Sequence, residues 1–253
     1  MHRFYLEEPI SGIGIVVVFP KDEVAHATRV LRLRKGDEVQ LIDGINLYKA
    51  ELQIVNEQEV TAIVRELCPS PEPPAQAVLI QGLPKADKLE MIAQKATELG
   101  MWELWPVEME RSVAKADKPD RAQKKQERIS RIALEAAKQS SRAHIPQVAQ
   151  TVNFAKMLNA LQKASPAFDA VFIAWEEEHA LPMSQAVQRC IDEGKTLHRV
   201  AVVIGPEGGI SQREWEKLRD IGAISVTLGR RILRTETAGL CALAVLWTAL
   251  GEM

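Results

Sequence analysis

The sequence has few of the features that mark secreted, membrane or metal-binding proteins. Its three cysteines, Cys68, Cys190 and Cys241, lie far apart and form no C-x-x-C pair, so neither a disulfide framework nor a cysteine-rich zinc site is expected. The five histidines show no ligand spacing, and no metal is predicted. The first residues lack the apolar stretch of a signal peptide. These absences predict a protein of the reducing cytoplasm.

No apolar run approaches the roughly 20 residues that a membrane-spanning helix needs. The longest strongly apolar run, residues 240–250, therefore predicts a buried helix and no membrane partner. Because this run is apolar on every side, the helix must also be covered on every side. We expect one face to pack on its own domain and the other on a second subunit of a homodimer. Complete burial within one chain is the alternative.

An excess of positive charge is also missing, since the net charge is −2. The hydrophobic fraction of 46% and the charged fraction of 26% are those of an ordinary soluble globular protein. The basic residues are nevertheless clustered: residues 111–142 hold ten Lys or Arg against four Asp or Glu, and smaller clusters lie at 29–35 and 230–234. Local basic surface favours a partner with a phosphate backbone. Solvated helix faces explain the long cluster equally well.

Residues 1–70 are predicted to form a small β domain, either a compact barrel or a sandwich. Its predicted strands cover residues 15–19, 38–42, 47–55 and 59–67. Asp43 and Gly44 supply a turn between two of them. A predicted helix at 22–33 presents Arg29 and Arg32 on one face, so the module either binds RNA or is a structural appendage. Residues 71–76 form a stiff, proline-rich linker that ends this domain.

After the linker the pattern changes, and residues 77–253 alternate between predicted strands and helices. The strands cover residues 77–81, 102–107, 168–175, 200–204 and 224–228. The helices cover residues 85–99, 119–140, 181–191, 211–221 and 235–250. Gly100 is expected to end the first of these helices, and Ser211 with Glu214 forms a capping box. The alternation predicts an α/β fold, a parallel sheet with helices on both faces.

Two unusual loops follow predicted strands, at the positions where open α/β folds bind ligands. The first, 205–209, matches neither G-x-G-x-x-G nor the P-loop pattern, but its glycines permit close approach of the backbone to a ligand. In the second, 229–237, Ile232 and Leu233 lie between arginines and are expected to insert into a ligand rim or a neighbouring subunit. The threonines of this loop are expected to cap the last helix. A plain tight turn and surface ion pairs are the alternatives.

Four motifs together resemble the RsmE family, the SPOUT-superfamily 16S ribosomal RNA uracil-N3 methyltransferases. They are K-A-T-E-L-G at 95–100, E-A-A-x-Q-S-x-R at 135–142, I-G-P-E-G-G at 204–209 and L-G-x-R-I-L-R-x-E-T-A at 228–238. The resemblance spans nearly the whole chain and implies a PUA-like RNA-binding barrel followed by a SPOUT domain with a deep trefoil knot. It also implies an S-adenosylmethionine cofactor and an obligate homodimer that acts on 16S ribosomal RNA, within the small ribosomal subunit.

The matching motifs carry over a set of residues that would surround the cofactor. These are Gly205, Glu207, Gly208, Leu228, Gly229, Ile232, Leu233, Thr237 and Ala238. Methyl transfer from a sulfonium is an in-line displacement, so most of the catalysis is the positioning of uracil N3. Because N3 must lose its proton, Glu207 and Glu236 are the candidate bases, although either is equally able to pair with an arginine. Arg234 is the candidate for orienting the uracil or its phosphate.

RNA binding is expected from both domains. The residues predicted for it are Arg29, Arg32, Arg111, Lys124, Lys125, Arg128, Arg142, Arg230 and Arg231. The target base must leave its stack or already be single-stranded. Two other functions stay open: methylation at another RNA position, such as a ribose 2′-OH or a tRNA base, and RNA binding by a non-catalytic dimer. The intact loops count against the second.

Overall fold

The computed structural model of the chain describes residues 1–6 and 8–253, and their contacts form two units. The first unit comprises residues 1–72 and 141–145, and the second comprises residues 73–140 and 146–253. The first division point lies within the predicted linker at 71–76. The inclusion of residues 141–145 in the first unit has no counterpart in the sequence pattern.

The first unit is built on a five-stranded sheet in the order β1-β3-β4-β5-β2. Its strands are β1 His2–Tyr5, β2 Val16–Val18, β3 Glu38–Ile42, β4 Leu47–Val55 and β5 Val60–Cys68. β1 runs parallel to β3, and the other pairs are antiparallel. The turn before β4 is confirmed, since Asp43 Oδ1 accepts from the backbone N–H of Ile45 and Asn46, and Gly44 has a φ of +82°. Four of the strands were predicted, and β1 was not.

The predicted helix at 22–33 is wrong in its second half. The structure has a short helix, α1 Lys21–Ala25, followed by a π-helical segment, His26–Val30. The backbone N–H of Leu31 donates to the carbonyl of His26, the wider spacing of a π turn. Arg32 then takes a φ of +53°, which a right-handed helix does not allow. The two basic residues of this segment therefore do not share one regular helix face.

The second unit is a parallel α/β sheet, as predicted, in the order β12-β10-β11-β6-β7-β8, with β9 also paired to β7. Its strands are β6 Gln76–Gly82, β7 Glu103–Glu108, β8 Gln147–Val148, β9 Val152–Asn153, β10 Ala170–Ala174, β11 Arg199–Ile204 and β12 Ile224–Val226. Its helices are α2 Lys88–Glu98, α3 Pro119–Gln139, α4 Phe154–Gln162, α5 Met183–Asp192, α6 Gln212–Asp220 and α7 Thr235–Ala249. β8, β9 and α4 were not predicted.

Helices cover both faces of this sheet, which confirms the predicted architecture. On β6, Leu79 packs into a core shared with α2, α3, α5 and α7, whereas Val78 and Ile80 pack into a second core shared with α4 and α6. Alternate residues of an extended strand point to opposite faces, so a strand buried on both sides is apolar throughout. The deep trefoil knot implied by the resemblance stays a prediction.

Two helix ends are set by residues that the sequence analysis identified. Gly100 follows α2 with a φ of +88°, as expected for a glycine that ends a helix. The capping box is confirmed, because Ser211 Oγ accepts from the N–H of Glu214 and the Glu214 carboxylate accepts from the N–H of Ser211. Among the helices of residues 1–6 and 8–253, none is both long and apolar enough to cross a bilayer.

Candidate functional site

The carboxyl ends of four parallel strands, β6, β10, β11 and β12, meet at one edge of the sheet. Ligands of open α/β folds bind at such an edge. A cavity of about 670 Å³ opens there, a volume typical of sites for cofactors and small ligands. The residues around it are Lys88, Ala174, Trp175, Glu176, His179, the segments 204–209 and 226–235, and Ala238.

A chain of buried hydrogen bonds joins three segments beneath this cavity. Gln81 Nε2, at the end of β6, donates to Thr235 Oγ1 at 2.8 Å. The Thr235 hydroxyl donates to the carbonyl of Gly205 at 2.6 Å. The prediction that Thr235 caps α7 is therefore wrong, because its hydroxyl ties the helix to the loop after β11. The residue at the cap position is Arg234, which makes no side-chain capping bond.

Two glycines of the 205–209 loop are required for different reasons: Gly208 by the space around it, which includes backbone atoms of Arg111, and Gly209 by its backbone conformation, since its close neighbour is the end of a flexible carboxylate side chain. A Cβ on Gly208 would lie 2.9 Å from Arg111 Cβ, and one on Gly209 would lie 1.7 Å from Glu176 Oε1. Gly209 also has a φ of +71°, which L side chains rarely adopt. Gly229, in the second loop, has a φ of +118° and nothing within 4 Å of its Cβ position. Its open side lines the cavity, so the backbone there is accessible to a ligand.

Most of the predicted cofactor-binding residues lie around this one cavity. Those that line it are Gly205, Glu207, Gly208, Leu228, Gly229, Ile232, Leu233 and Ala238. Thr237 is exposed and is not among the lining residues; its N–H donates to the carbonyl of Arg234. Ile232 is 89% exposed, so the expected insertion of this side chain is not made within the single chain.

The predicted bases share a lysine that the sequence analysis did not identify. Lys88 Nζ lies 3.0 Å from Glu207 Oε1 and 3.0 Å from Glu236 Oε2. The backbone N–H of Lys85 also donates to Glu207 Oε1 at 3.1 Å, and Arg234 Nη1 lies 4.0 Å from Glu236 Oε1. Both carboxylates are therefore held by positive charge or hydrogen-bond donors at the cavity.

These contacts shift the pKa values of all three groups. Burial acts to raise the pKa of Glu207, but the hydrogen bonds from Lys88 and the Lys85 N–H outweigh it, and the pKa is lowered. The backbone N–H of Glu236 lowers the pKa of its own carboxyl, and Lys88 adds to this effect. The hydrogen bond to Glu207 and then the contact with Glu236 raise the pKa of Lys88. All three groups are consequently charged at neutral pH.

Six of the predicted RNA-binding residues lie around two cavities of the second unit. Arg230 and Arg231 are exposed and line the main cavity, and Arg111 Nη1 donates to the carbonyl of Gly208 at 3.2 Å, beside it. Lys124, Lys125 and Arg128 line a second cavity of about 520 Å³. Two of these three also form ion pairs, Lys125 with Asp117 at 3.7 Å and Arg128 with Glu90 at 2.7 Å.

The other three predicted RNA-binding residues lie in the first unit. Arg29 and Arg32 are exposed, and Arg29 pairs with Glu57 at 3.7 Å. Arg142 is only 4% exposed, and its guanidinium forms an ion pair with the Glu72 carboxylate. The other oxygen of Glu72 accepts the backbone N–H of Ala143 and His144. The prediction that Arg142 binds RNA is therefore contradicted by its burial; its guanidinium balances a buried carboxylate.

Several residues of the cavity were missed from the sequence. Glu176 and Trp175 directly follow β10, and Lys88 begins the helix after β6. Trp175 stacks on Trp215 at 4.2 Å, and its buried indole N–H has no hydrogen-bond partner among the described residues. The sequence could have indicated these residues, because they lie in the segments that follow the carboxyl ends of parallel strands, where ligands bind. Among the described residues, no cluster of three or more His, Cys, Asp or Glu is arranged to bind a metal.

Comparisons with known proteins agree with this geometry. The sequence model of the family described as "RNA methyltransferase domain" matches residues 71–247. A second model, "RNA methyltransferase PUA domain", matches residues 19–65. The chain is 37% identical to the ribosomal RNA small subunit methyltransferase E of Bacillus subtilis, over 97% of this chain and 96% of that protein. The protein of the same name from Mycobacterium bovis is 32% identical, over 95% of this chain and 88% of that one.

Solved structures give the same result. The crystal structure of a ribosomal RNA small subunit methyltransferase E from Neisseria gonorrhoeae, bound to S-adenosylmethionine, matches with a TM-score of 0.76. It is 30% identical and covers 98% of this chain and 97% of its own. A methyltransferase from Legionella pneumophila, also in complex with S-adenosylmethionine, matches with a TM-score of 0.69 and 27% identity, covering 98% of this chain and 97% of its own.

Proposed function

This chain belongs to the ribosomal RNA small subunit methyltransferase E family, and on that premise we propose that it methylates small-subunit ribosomal RNA. The methyl donor is S-adenosylmethionine, the ligand bound to the Neisseria gonorrhoeae relative. The target atom is N3 of a specific uridine of 16S ribosomal RNA, as the resemblance of the four motifs implies. The observation that carries the proposal is the glycine-lined cavity at the carboxyl edge of the sheet, with carboxylates and arginines around it.

The residues of the cavity fit the chemical groups of S-adenosylmethionine. Leu228, Leu233 and Ala238 provide an apolar surface for the adenine ring, and Gly229 leaves its backbone open to a ligand. The Glu176 carboxylate is an acceptor for ribose hydroxyls or an ammonium group. The indole N–H of Trp175 is a buried donor without a partner among the described residues, as expected where a ligand supplies the acceptor.

The reaction requires positioning and the removal of one proton. Bound S-adenosylmethionine supplies an electrophilic methyl group on its sulfonium. Arg234, whose side chain is 83% exposed at the cavity, orients the uracil or its phosphate. Glu207 and Glu236 are ionised at neutral pH and accept the N3 proton or hold its acceptor in place. The basic residues around the two cavities hold the RNA backbone.

We propose that the chain acts as a homodimer through α7. The side chains of Leu243, Leu246 and Trp247 are buried against the sheet, whereas Leu240 and Val245 are only partly covered. A helix that is apolar on every side favours a second covering surface. Light scattering at micromolar concentration should give twice the chain mass, and a monomer would contradict this part of the proposal.

The enzyme proposal is tested by three measurements on the full chain. Calorimetry should show S-adenosylmethionine binding, and methyl transfer should be measured on naked small-subunit RNA and on assembled small subunits. Mass mapping of nucleosides then identifies the product as N3-methyluridine. Absence of cofactor binding with and without RNA refutes the enzyme, whereas a methyl group on a ribose 2′-OH or on tRNA refutes only the specific target.

Arg234 provides the sharpest variant for this proposal. Arg234→Ala should lower methyl transfer at least tenfold while changing the cofactor Kd little, because the side chain points into solvent rather than into the floor of the cavity. Arg213→Ala, which removes an exposed arginine of α6 outside the cavity lining, is the control and should transfer methyl groups normally. Equal loss of cofactor binding and transfer in Arg234→Ala would show that the residue supports the loop instead.

A further inference from the structure

Lys88 occupies a position that no motif indicated. It is the first residue of α2, and its ammonium group lies between two carboxylates contributed by distant segments, Glu207 after β11 and Glu236 in the first turn of α7. Each carboxylate oxygen is 3.0 Å from Nζ. Lys88 Nζ donates a hydrogen bond to Glu207 Oε1, whereas its contact with Glu236 Oε2 is an ion pair without hydrogen-bond geometry. All three side chains are less than one third exposed, with values of 30%, 24% and 12%.

The arrangement has a direct electrostatic consequence. Because both oxygens contact the same nitrogen, they lie within roughly 6 Å of each other, close enough for like charges to oppose each other's ionisation. The ammonium group of Lys88 between the two carboxylates offsets their electrostatic repulsion. Glu236 also benefits from the N-terminus of α7, where a negative charge is stabilised.

The other charged groups that face this triad are few. Arg234 Nη1 lies 4.0 Å from Glu236 Oε1, the oxygen that Lys88 does not contact. The backbone N–H of Lys85 donates to Glu207. The remaining charged or titratable residues of the cavity are Glu176, His179, Arg230 and Arg231. Of these groups, Lys88 alone lies within 4.0 Å of both carboxylates.

We propose that Lys88 is a positioning residue that holds the carboxylates of Glu207 and Glu236 side by side and charged, so that the acceptor of the proton leaving uracil N3 keeps its place and its charge into the acidic pH range. The inference rests on the proposed methyl transfer and adds the group that prepares the proton acceptors. Lys88 itself touches neither the methyl group nor the base in this role. Its removal changes the pH at which the carboxylates ionise rather than the shape of the cofactor site.

The test compares Lys88→Met, which keeps a long unbranched side chain but removes the charge, with Lys88→Arg, which keeps the charge. Lys95→Met, an exposed lysine further along α2 that pairs only with Glu98 in the described contacts, is the matched control. The measured quantity is kcat/KM for methyl transfer to small-subunit RNA from pH 9 down to the lowest pH at which the native chain stays folded, because the native acidic limb lies below the ordinary glutamate pKa. In Lys88→Met the acidic limb of the profile should move up by about one pH unit or more, since an opposite charge in contact shifts a carboxyl pKa by that amount. Lys88→Arg and Lys95→Met should keep the native limb.

A second measurement needs neither substrate nor activity. In protein carrying ¹³C-labelled glutamate and no cofactor, the carboxyl resonances of Glu207 and Glu236 are assigned from the Glu207→Gln and Glu236→Gln variants and titrated. At least one of the two should titrate at higher pH in Lys88→Met than in the native chain. Calorimetry on the same samples measures the S-adenosylmethionine Kd, so that a change in cofactor binding, which Lys88 as a lining residue of the cavity is placed to cause, is separated from a change in carboxyl titration.

The outcomes separate the inference from the function on which it rests. If the native chain transfers methyl groups but Lys88→Met is slowed equally at every pH, with unshifted carboxyl titrations, the positioning role is refuted and the function stands. Loss of cofactor binding in Lys88→Met together with an unshifted limb refutes it as well. If the native chain transfers no methyl group at any pH, both proposals fall. Lys88→Gln repeats the comparison if Lys88→Met does not fold.

Discussion

Gly82→Ala is the substitution for which the structure predicts the largest local conflict with the candidate site. Gly82 ends β6, and a Cβ there would lie 2.5 Å from Pro206 N, 2.6 Å from Pro206 Cδ and 2.9 Å from the carbonyl carbon of Gly205. These atoms belong to backbone and to a proline ring, so no side-chain rotation relieves the clash. Gly82 is not among the residues with positive φ, and the effect is therefore one of space alone.

The expected magnitude follows from these distances. Non-bonded carbon atoms are best separated by about 3.5 to 4.0 Å, so the end of β6 and the 205–209 loop must part by about 1 Å. Overpacking of this kind costs about 1–3 kcal/mol. The loop that must move also lines the cavity, and each 1.4 kcal/mol lost from binding is a factor of about ten in Kd. If the loop passes this cost on to binding, S-adenosylmethionine affinity should weaken by a factor of about 5 to 150.

Tryptophan fluorescence gives a specific assay for the unfolding of the second unit. Trp102, Trp105, Trp175, Trp215 and Trp247 all lie in that unit, so a urea titration followed by their emission reports its stability. Gly82→Ala should lower the free energy of unfolding by about 1–3 kcal/mol, with the cofactor Kd measured separately by calorimetry.

Gly12→Ala is the control for this substitution. Gly12 has no heavy atom within 4 Å of its Cβ position and no positive φ, so its replacement should leave both quantities unchanged. A Gly82→Ala variant with native stability and native cofactor affinity would refute the argument that close backbone approach at this position shapes the site.

Three further predictions concern both units. Gly209→Ala should weaken cofactor binding severalfold by calorimetry, because its φ of +71° is one that L side chains rarely adopt and the added Cβ displaces the Glu176 carboxylate at the cavity; native affinity would show that the loop adapts. Arg142→Met should lower the stability of the first unit by about 3–5 kcal/mol in urea titrations followed by circular dichroism, because it leaves the buried Glu72 charge unpaired; a loss of RNA affinity at native stability would contradict this. Burial raises the pKa of Tyr5 to about 12 from 10.0, so deprotonation favours the unfolded chain, and stability, fully present below pH 10, should fall by about 1.4 kcal/mol per pH unit up to about pH 12. Tyr5→Phe should remove this decrease, and a decrease that persists would assign it to another group.

The sequence predicted the elements whose apolar pattern is long enough to show a period. The strands and helices of the parallel sheet are of this kind, and their order implies the edge at which the site lies. β8 and β9 have two residues each, too few to show any alternation, and they form only because β7 offers them hydrogen bonds. The π-helical turn at His26–Val30 likewise depends on packing in the first unit, which local propensity does not encode.

The site was predicted where its residues lie within one loop and missed where they come from distant strands. The glycines at 205–209 are recognisable together because they are adjacent in sequence. Lys88 and Glu207 are more than a hundred residues apart, and only the pairing of β6 with β11, which sets Gln81 beside Ile204, brings them together. The burial of Arg142 was unpredictable for the same reason, since Glu72 reaches it across 70 positions of chain.

Burial distinguishes the residues that form the floor of the cavity from those at its rim, although the motif at 228–238 contains both kinds. Gln81 and Thr235 are buried, and their hydrogen bonds to each other and to Gly205 hold β6, α7 and the loop after β11 in one arrangement. Arg234 directly precedes Thr235, yet its side chain is 83% exposed. Because a buried floor held by hydrogen bonds between three segments cannot adapt to a large partner, we infer that the floor selects the small cofactor. We infer that Arg234 and the exposed Arg230 and Arg231 contact the RNA instead. Substitutions in the floor should therefore change the cofactor Kd, and substitutions of these arginines should change methyl transfer.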